Sequence, residues 1–164
     1  MMKQILEQLG GPHQLGYVFA DIDAAIDTFS SIYSFEKTMR FDFSAEQHWV
    51  RGEHFPIKLD IFIGVVDGTE YEIISPLSDG PHKWFLDKIG GGLQHIGYNV
   101  SDYEHYAALL KKAGMNVLMN VDCDVYEPGA SEPDHHLVAA YFEKPEMGNL
   151  LIEIAARQPL SGKK

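Results

Sequence analysis

Hydrophobic residues along the chain come in short runs broken by turn residues, and twice the spacing shifts from strand-like to helical. Leu15-Gly16-Tyr17-Val18-Phe19 predicts a strand. Ile22, Ile26, Phe29 and Tyr33 share one helical face and predict a helix over Asp23–Tyr33. Strand-like runs follow at Thr38–Phe43, Lys58–Val66 and Thr69–Pro76, and Asp67-Gly68 between the last two signals a tight hairpin. Pro81–Ile89 predicts a short helix. Beyond it the order repeats: a strand from His95, a helix over Asp102–Ala113, then strands Met115–Val121, His136–Phe142 and Asn149–Ala156. Tyr106, Leu109, Leu110 and Ala113 share one face of that second helix. Ser101-Asp102-Tyr103-Glu104 reads as its capping box and Gly114 as its stop.

The two halves are copies. Leu15-Gly16-Tyr17 recurs as Ile96-Gly97-Tyr98, and Asp21 as Asp102, each 81 residues on. Each half therefore reads β-α-β-β-β. The expected division is an arm at 1–10, a first module at 11–80, a linker helix and Gly-rich joint at 81–92, a second module at 93–157 and a tail at 158–164. Met1–Leu9 reads as a short helical arm without chemistry. Gly90-Gly91-Gly92 precedes a strand instead of opening a helix, so it reads as a joint and not as a phosphate loop.

Two glutamates stand where glutamate is disfavoured. Glu72 lies in Tyr71-Glu72-Ile73-Ile74 and Glu153 in Leu151-Ile152-Glu153-Ile154, again 81 residues apart. A carboxylate in an apolar strand is costly unless it is paired or holds a metal. The same offset relates Gln14 to His95. Strand alternation turns Leu15, Tyr17, Ile96, Tyr98, Ile73 and Ile154 away from these four residues, giving each module one apolar face for its helix. Should the two sheets curl around a common axis, the other faces bring Gln14, Glu72, His95 and Glu153 together. Two carboxylates, an amide oxygen and an imidazole suit one divalent ion of Zn, Ni, Co, Mn or Fe. The competing possibility is that both glutamates face solvent on one-sided sheets.

Composition narrows the class. Of 164 residues, 45% are hydrophobic and 23% charged, the globular range, and the net charge of −11 disfavours nucleic acid and anionic lipid as partners. No apolar run is long enough to cross a membrane and the N-terminus does not read as a signal peptide, so a cytoplasmic protein is expected. The single cysteine, Cys123, excludes an internal disulfide and CxxC chemistry, and no histidine is near it in sequence to activate it.

The segments His13–Ile26, Tyr71–Leu77, Gly91–Tyr98 and Leu151–Ile154 resemble those of the vicinal oxygen chelate (glyoxalase/bleomycin resistance/dioxygenase) superfamily, nearest to methylmalonyl-CoA epimerase and glyoxalase I. The resemblance covers residues 11–157. It implies an α+β fold of two βαβββ modules forming a paired, curled sheet with a central metal pocket. It also implies a metal set of Gln14, Glu72, His95 and Glu153. The arginine of glyoxalase I four residues after the first ligand is Val18 here, which argues against glutathione. The epimerase's Glu-Gln-Gly stretch is absent from Glu53-His54-Phe55-Pro56-Ile57.

These readings converge on a metal-dependent lyase or isomerase that transfers a proton next to a carbonyl of a small oxo, hydroxy-carbonyl or acyl-thioester substrate. Glu153 or Glu72 is the expected base, and a homodimer is expected. The alternative is a non-catalytic, drug-sequestering protein of the same fold. His13 adjoins Gln14 but is expected on the opposite face. Of His135 and His136 at most one can enter the pocket, and a loop-edge role is expected for both. His48, His82 and His105 read as solvated. Trp49 and Phe55, in the segment Ser44–Ile57 that reads as a loop, form a pocket wall or cap the core. That segment and Asp122–Asp134 are the expected specificity loops.

Overall fold

A computed structural model describes residues 2–127 and 129–160, so Met1, Pro128 and the end of the expected tail, 161–164, lie outside the described residues. Its elements run α1 (Met2–Leu9), β1 (Gln14–Val18), α2 (Ile22–Ile32), β2 (Lys37–Ala45), β3 (His48–Val50), β4 (Glu53–His54), β5 (Ile57–Val66), β6 (Thr69–Pro76) and α3 (Pro81–Ile89). The second half continues with β7 (Gly92–Asn99), α4 (Tyr103–Lys112), β8 (Asn116–Val125), β9 (His135–Glu143), a 3-10 turn at Pro145–Met147 and β10 (Leu151–Pro159). The fold is α+β, as expected. All ten strands form one mixed sheet in the order β2-β5-β6-β1-β7-β10-β9-β8-β3-β4.

The repeat is visible in the pairing. β1 runs parallel to β6, β7 runs parallel to β10, and β1 and β7 meet antiparallel at the centre. Asp21 and Asp102 cap α2 and α4, accepting from the backbone N–H of Ala24 and of His105, each at 3.0 Å. The cap of α4 is thus Asp102 and not Ser101, one residue later than the capping box predicts. Asp102 has a non-helical backbone, φ −131° and ψ 89°, and reaches the third helical N–H, which satisfies an otherwise unpaired donor. At the β5–β6 hairpin, Asp67 and Gly68 both take positive φ, 49° and 75°, the backbone that a two-residue turn with the strand twist requires.

The outer faces carry the helices as alternation predicts. Tyr98, Ile152 and Ile154 form one core with Ala107 and Leu110 of α4, and Ile5 and Leu9 of α1 extend it. Ile73 and Phe62 form another with Ile22 and Ala25 of α2. Each fully buried Ile or Leu contributes about 1.5–3 kcal/mol, so these faces fix which side of each strand looks inward. Among the described residues no helix is long and apolar enough to cross a membrane.

The segment expected to be a loop at Ser44–Ile57 instead carries β3 and β4. β3 pairs with β8 at the far end of the sheet (His48↔Val121, Val50↔Met119), although Glu46-Gln47 alone separates it from β2 at the near end. Three Cα steps span at most about 11 Å, so the two ends of the sheet must come round to meet. Ala45 of the first half accordingly packs with Val121, Ala139 and Ala155 of the second. Three residues carry no readable periodicity, and their partner strand lies some seventy positions away, so only tertiary pairing reveals them.

Asp102→Ala should lower stability by about 1 kcal/mol, while Ser101→Ala should change it by less than about 0.5 kcal/mol, measured by urea denaturation. The reverse order would restore Ser101 as the cap.

Candidate metal centre

The inner face of the curled sheet encloses a cavity of about 600 Å³, and its polar end lies at the β1–β7 seam. There Gln14 of β1 stands opposite Gly97 of β7, and His95 of β7 stands opposite Gly16 of β1. Glu72 enters from β6 and Glu153 from β10, the strands flanking the seam. The structure thus brings together the four residues that the 81-residue offset relates. His95 Nε2 lies 3.2 Å from Glu72 Oε2, 3.3 Å from Gln14 Oε1 and 3.5 Å from Glu153 Oε2. All four side chains are buried, His95 completely.

The two glycines explain how the four fit. A Cβ on Gly16 would lie 1.9 Å from His95 Cε1, inside the imidazole ring. A Cβ on Gly97 would meet Gln14 Cβ at 3.0 Å and Glu153 Oε2 at 3.1 Å. Each residue of the seam therefore occupies the space that a side chain on the opposite strand would fill. Along the sequence these two glycines align the repeat. An isolated glycine inside a strand signals close approach, and that signal was present.

Neighbours orient the donors. Gln14 Nε2 donates to Glu70 Oε2 at 3.0 Å, which turns the amide oxygen toward His95. Gln94 is the extra residue of a bulge, since Gly16 pairs with His95 but Tyr17 with Leu93. The bulge lets Gln94 and His95 both be buried, and His95 Nδ1 donates to Gln94 Oε1 at 3.3 Å. Tyr141 of β9, the register partner of Glu153, meets the His95 ring edge to face with centroids 4.7 Å apart. Gln94, Tyr141 and Glu70 are site residues that strand patterning alone did not single out.

Charge is concentrated here. Burial alone favours a neutral His95, but Glu72 and Glu153 outweigh it and raise its pKa above the usual imidazole value. Burial pushes the Glu153 carboxyl up to about 7, opposed by His95 and reinforced by Glu72. Burial and then the carboxylates Glu153 and Glu72 hold the Tyr141 phenol well above its usual value, so it remains protonated.

The donor set fits a divalent ion on one specific observation. Glu72 Oε2 is buried, and its one close neighbour is His95 Nε2 at 3.2 Å, without a well-aligned hydrogen bond. A buried carboxylate oxygen with no well-aligned hydrogen bond is costly and calls for a stronger partner. Donors 3.2–3.5 Å from Nε2 stand about as far apart as neighbouring ligands on one ion with bonds of about 2.1 Å. Among the described residues, however, no group of three or more His, Cys, Asp and Glu side chains stands in a ready metal-binding arrangement. The fit rests on the donor chemistry and that poorly bonded oxygen.

The other histidines separate. Gln14, and not His13, lines the cavity. His13 Nδ1 is buried without a partner, and burial, followed by the charge of Arg157, lowers its pKa to about 4. His135 lines the cavity, whereas His136 points to the other side between Asp122 and Asp124, each 2.8 Å away. His105 is exposed, as expected. His48 and His82 are not solvated: each is 2% exposed and lines the cavity. His48 sits on β3, where strand closure covers it, and its Nδ1 donates to the Phe55 carbonyl at 3.0 Å. His82 is the second residue of α3 and turns inward, with both ring nitrogens unpartnered and its ring against Tyr141. Phe55 packs on Trp84 and the first module's inner core, and neither it nor Trp49 lines the cavity. Cys123 is half-buried, lies off the cavity, and burial raises its pKa, which keeps it a thiol.

The fold and this site agree with the comparisons. The family model of the Glyoxalase/Bleomycin resistance protein/Dioxygenase superfamily matches residues 13–130. The chain belongs to that superfamily. Among solved structures, methylmalonyl-CoA epimerase from Mycobacterium tuberculosis is 20% identical at a TM-score of 0.57, with 91% of this chain and 89% of that one covered. A methylmalonyl-CoA epimerase variant from Streptomyces coelicolor in complex with 2-nitronate-propionyl-CoA is 18% identical at a TM-score of 0.55, covering 88% and 95%. A 4-hydroxymandelate synthase mutant from Streptomyces coelicolor is 12% identical at 0.61, covering 93% of this chain and 49% of that one. At these identities the likeness is one of fold. No curated protein matches the chain.

Two predictions follow from the geometry. Gly16→Ala should cost at least about 1–3 kcal/mol by urea denaturation, and Gly97→Ala less, because Gly16 faces a ring that cannot move aside. Burial lowers the His82 pKa from 6.5 to about 3, so folding favours the neutral ring. Its stabilising contribution is complete above pH 6.5 and is lost as pH falls toward 3. His82→Leu should escape this loss, so its stability relative to wild type should rise by on the order of 2 kcal/mol between about pH 7 and about pH 4.5. A pH-independent difference would refute the buried neutral state.

Proposed function

We propose that this chain is a divalent-metal-dependent enzyme, glyoxalase- or epimerase-like, that moves a proton next to a carbonyl of a small substrate. Gln14, Glu72, His95 and Glu153 would hold the ion, of the Zn, Ni, Co, Mn or Fe class. The observation that carries this reading is the convergence of three oxygen donors on His95 Nε2 at 3.2–3.5 Å, one of them buried without a well-aligned hydrogen bond, at the end of a substrate-sized cavity. When bound, such an ion supplies a Lewis acid that stabilises negative charge on a carbonyl oxygen.

The chain's own residues supply the rest. Glu153 lines the cavity and is the base that takes the carbon-bound proton, with Glu72 as its counterpart from the other module. The Tyr141 phenol stands over His95 and beside Glu153 and limits the rotation of both. The apolar walls exclude water from the reacting carbon. The four filled donor positions favour an enzyme over a drug-sequestering protein, which needs no such set. A homodimer belongs to the same proposal and is checked by light scattering.

Metal content of protein purified without added metal, followed by calorimetric titration of zinc into variants, tests the site. Gln14→Ala should weaken binding roughly tenfold, because it removes a neutral donor. Glu72→Ala, Glu153→Ala and His95→Ala should each exceed the roughly 100-fold effect expected of outer-sphere partners. His13→Ala should leave binding intact. Loss of binding in His13→Ala with retention in Gln14→Ala would reverse the assigned face of β1. Candidate 2-oxo, 2-hydroxy-carbonyl and acyl-thioester compounds incubated in deuterated water should take up label next to the carbonyl, and chelation should abolish the uptake.

A further inference from the structure

The cavity's walls and charges bear on which substrates can enter it. One wall is apolar: Met39, Phe41 and Phe43 of the edge strand β2 face it, joined by Ile61 and Ile63 of β5 and Ile74 of β6. Met39 is 44% exposed and Phe41 and Phe43 are half-buried, so this wall lacks a covering partner within the described chain. Apolar surface around a cavity with one polar end is the arrangement that orients an amphipathic small molecule.

The charges around it are mostly negative. Asp42, Glu70 and Glu127 line the cavity in addition to Glu72 and Glu153, and Arg157 is the one lysine or arginine among the described lining residues. Arg157 lies on β10 four residues beyond Glu153 and donates to Asn99 Oδ1. The other two arginines are committed away from the cavity: Arg40 to Asp60 and Asp23, and Arg51 to Glu143. Lys83 pairs with Asp87 on α3, and Lys144 donates to the Ala113 carbonyl. A chain of phosphates needs clustered guanidinium or ammonium donors, and its approach to a protein of net charge −11 is otherwise repulsive.

We propose that the cavity selects a compact carbonyl compound (an oxo or hydroxy-carbonyl compound or a small thioester) with an aliphatic or aromatic body and at most one negative charge, and that it excludes coenzyme A thioesters. The proposal rests on the functional reading above and narrows it. It also separates this chain from the epimerases whose fold it shares. The carbonyl end faces the seam, the apolar body lies on the β2–β5 wall, and a single carboxylate, where the compound has one, is met by Arg157.

The test compares two thioesters that differ in the nucleotide arm: S-phenylacetyl-N-acetylcysteamine, which is uncharged, and phenylacetyl-coenzyme A. Both are titrated by calorimetry into the full chain without metal at low and at moderate salt. The uncharged thioester should bind at least about tenfold more tightly than the coenzyme A form, with the gap largest at low salt, where repulsion is least screened. Phe41→Ala should weaken it about tenfold, and Met39→Ala, on the exposed part of the same wall, by a smaller factor. Binding of the coenzyme A form as tightly as the uncharged thioester, or more tightly, would overturn the proposal. So would failure of the uncharged thioester to bind, or indifference of its affinity to both wall variants. Failure of the metal reading is seen separately, as absence of zinc uptake in wild type, and leaves this comparison standing.

Discussion

The seam between β1 and β7 is the constraint on which the site depends. Two antiparallel strands, one from each module, meet so that each places a polar side chain over a glycine of the other: Gln14 against Gly97 and His95 against Gly16. The exchange is reciprocal because the modules are copies related by a twofold relation. A fully buried imidazole and an amide can lie side by side in the centre of a sheet only because both glycines leave the space empty. Glu72 and Glu153 then reach the same point from the flanking strands. Moving either strand by one residue would turn its own polar side chain to a helix-covered face and break the set.

Burying two carboxylates beside one imidazole carries a free-energy cost, which shapes the chemistry. Without a counter-charge, loss of hydration and the nearby Glu72 push a proton onto Glu153, while the two carboxylates draw one onto His95 against its burial. The raised pKa values of His95 and Glu153 are that response. A proton shared among these groups and a divalent cation held by them are alternative answers to the same electrostatic problem. Metal affinity should therefore compete with protonation. The protein secures the arrangement from outside: Glu70 fixes the Gln14 amide, Gln94 fixes the His95 ring, and Tyr141 stands against His95.

Closure of the sheet converts this cluster into the end of a cavity. The two-residue connection between β2 and β3 draws the ends of the sheet together, and the inner faces become walls. Superfamily membership leaves the substrate open, since one fold hosts many chemistries and specificity lies in the residues grafted onto it. In this chain those residues are an apolar wall on β2 and β5 and a surplus of carboxylates, features of the cavity and not of the shared topology.

The sequence by itself determined the modular plan and the four central residues. The 81-residue offset relates Gln14 to His95 and Glu72 to Glu153, and strand alternation places them on the faces away from the helices. Both arguments are local: period two along a strand and repetition along a chain are written in residue order. Short strands such as His48–Val50 were illegible because three residues hold no period and their stability comes from a distant edge. His82 and His48 read as solvated because a helix end and a loop are usually wet, and only the curl of the sheet covers them. The bulge at Gln94 was equally hidden, since nothing in Gly92-Leu93-Gln94-His95 states that the partner strand will skip a residue. Local periodicity thus fixed which way side chains point. Which of them meet, and which polar groups lose their water, followed from the closure of one sheet on itself, a non-local event that packing between distant strands decides.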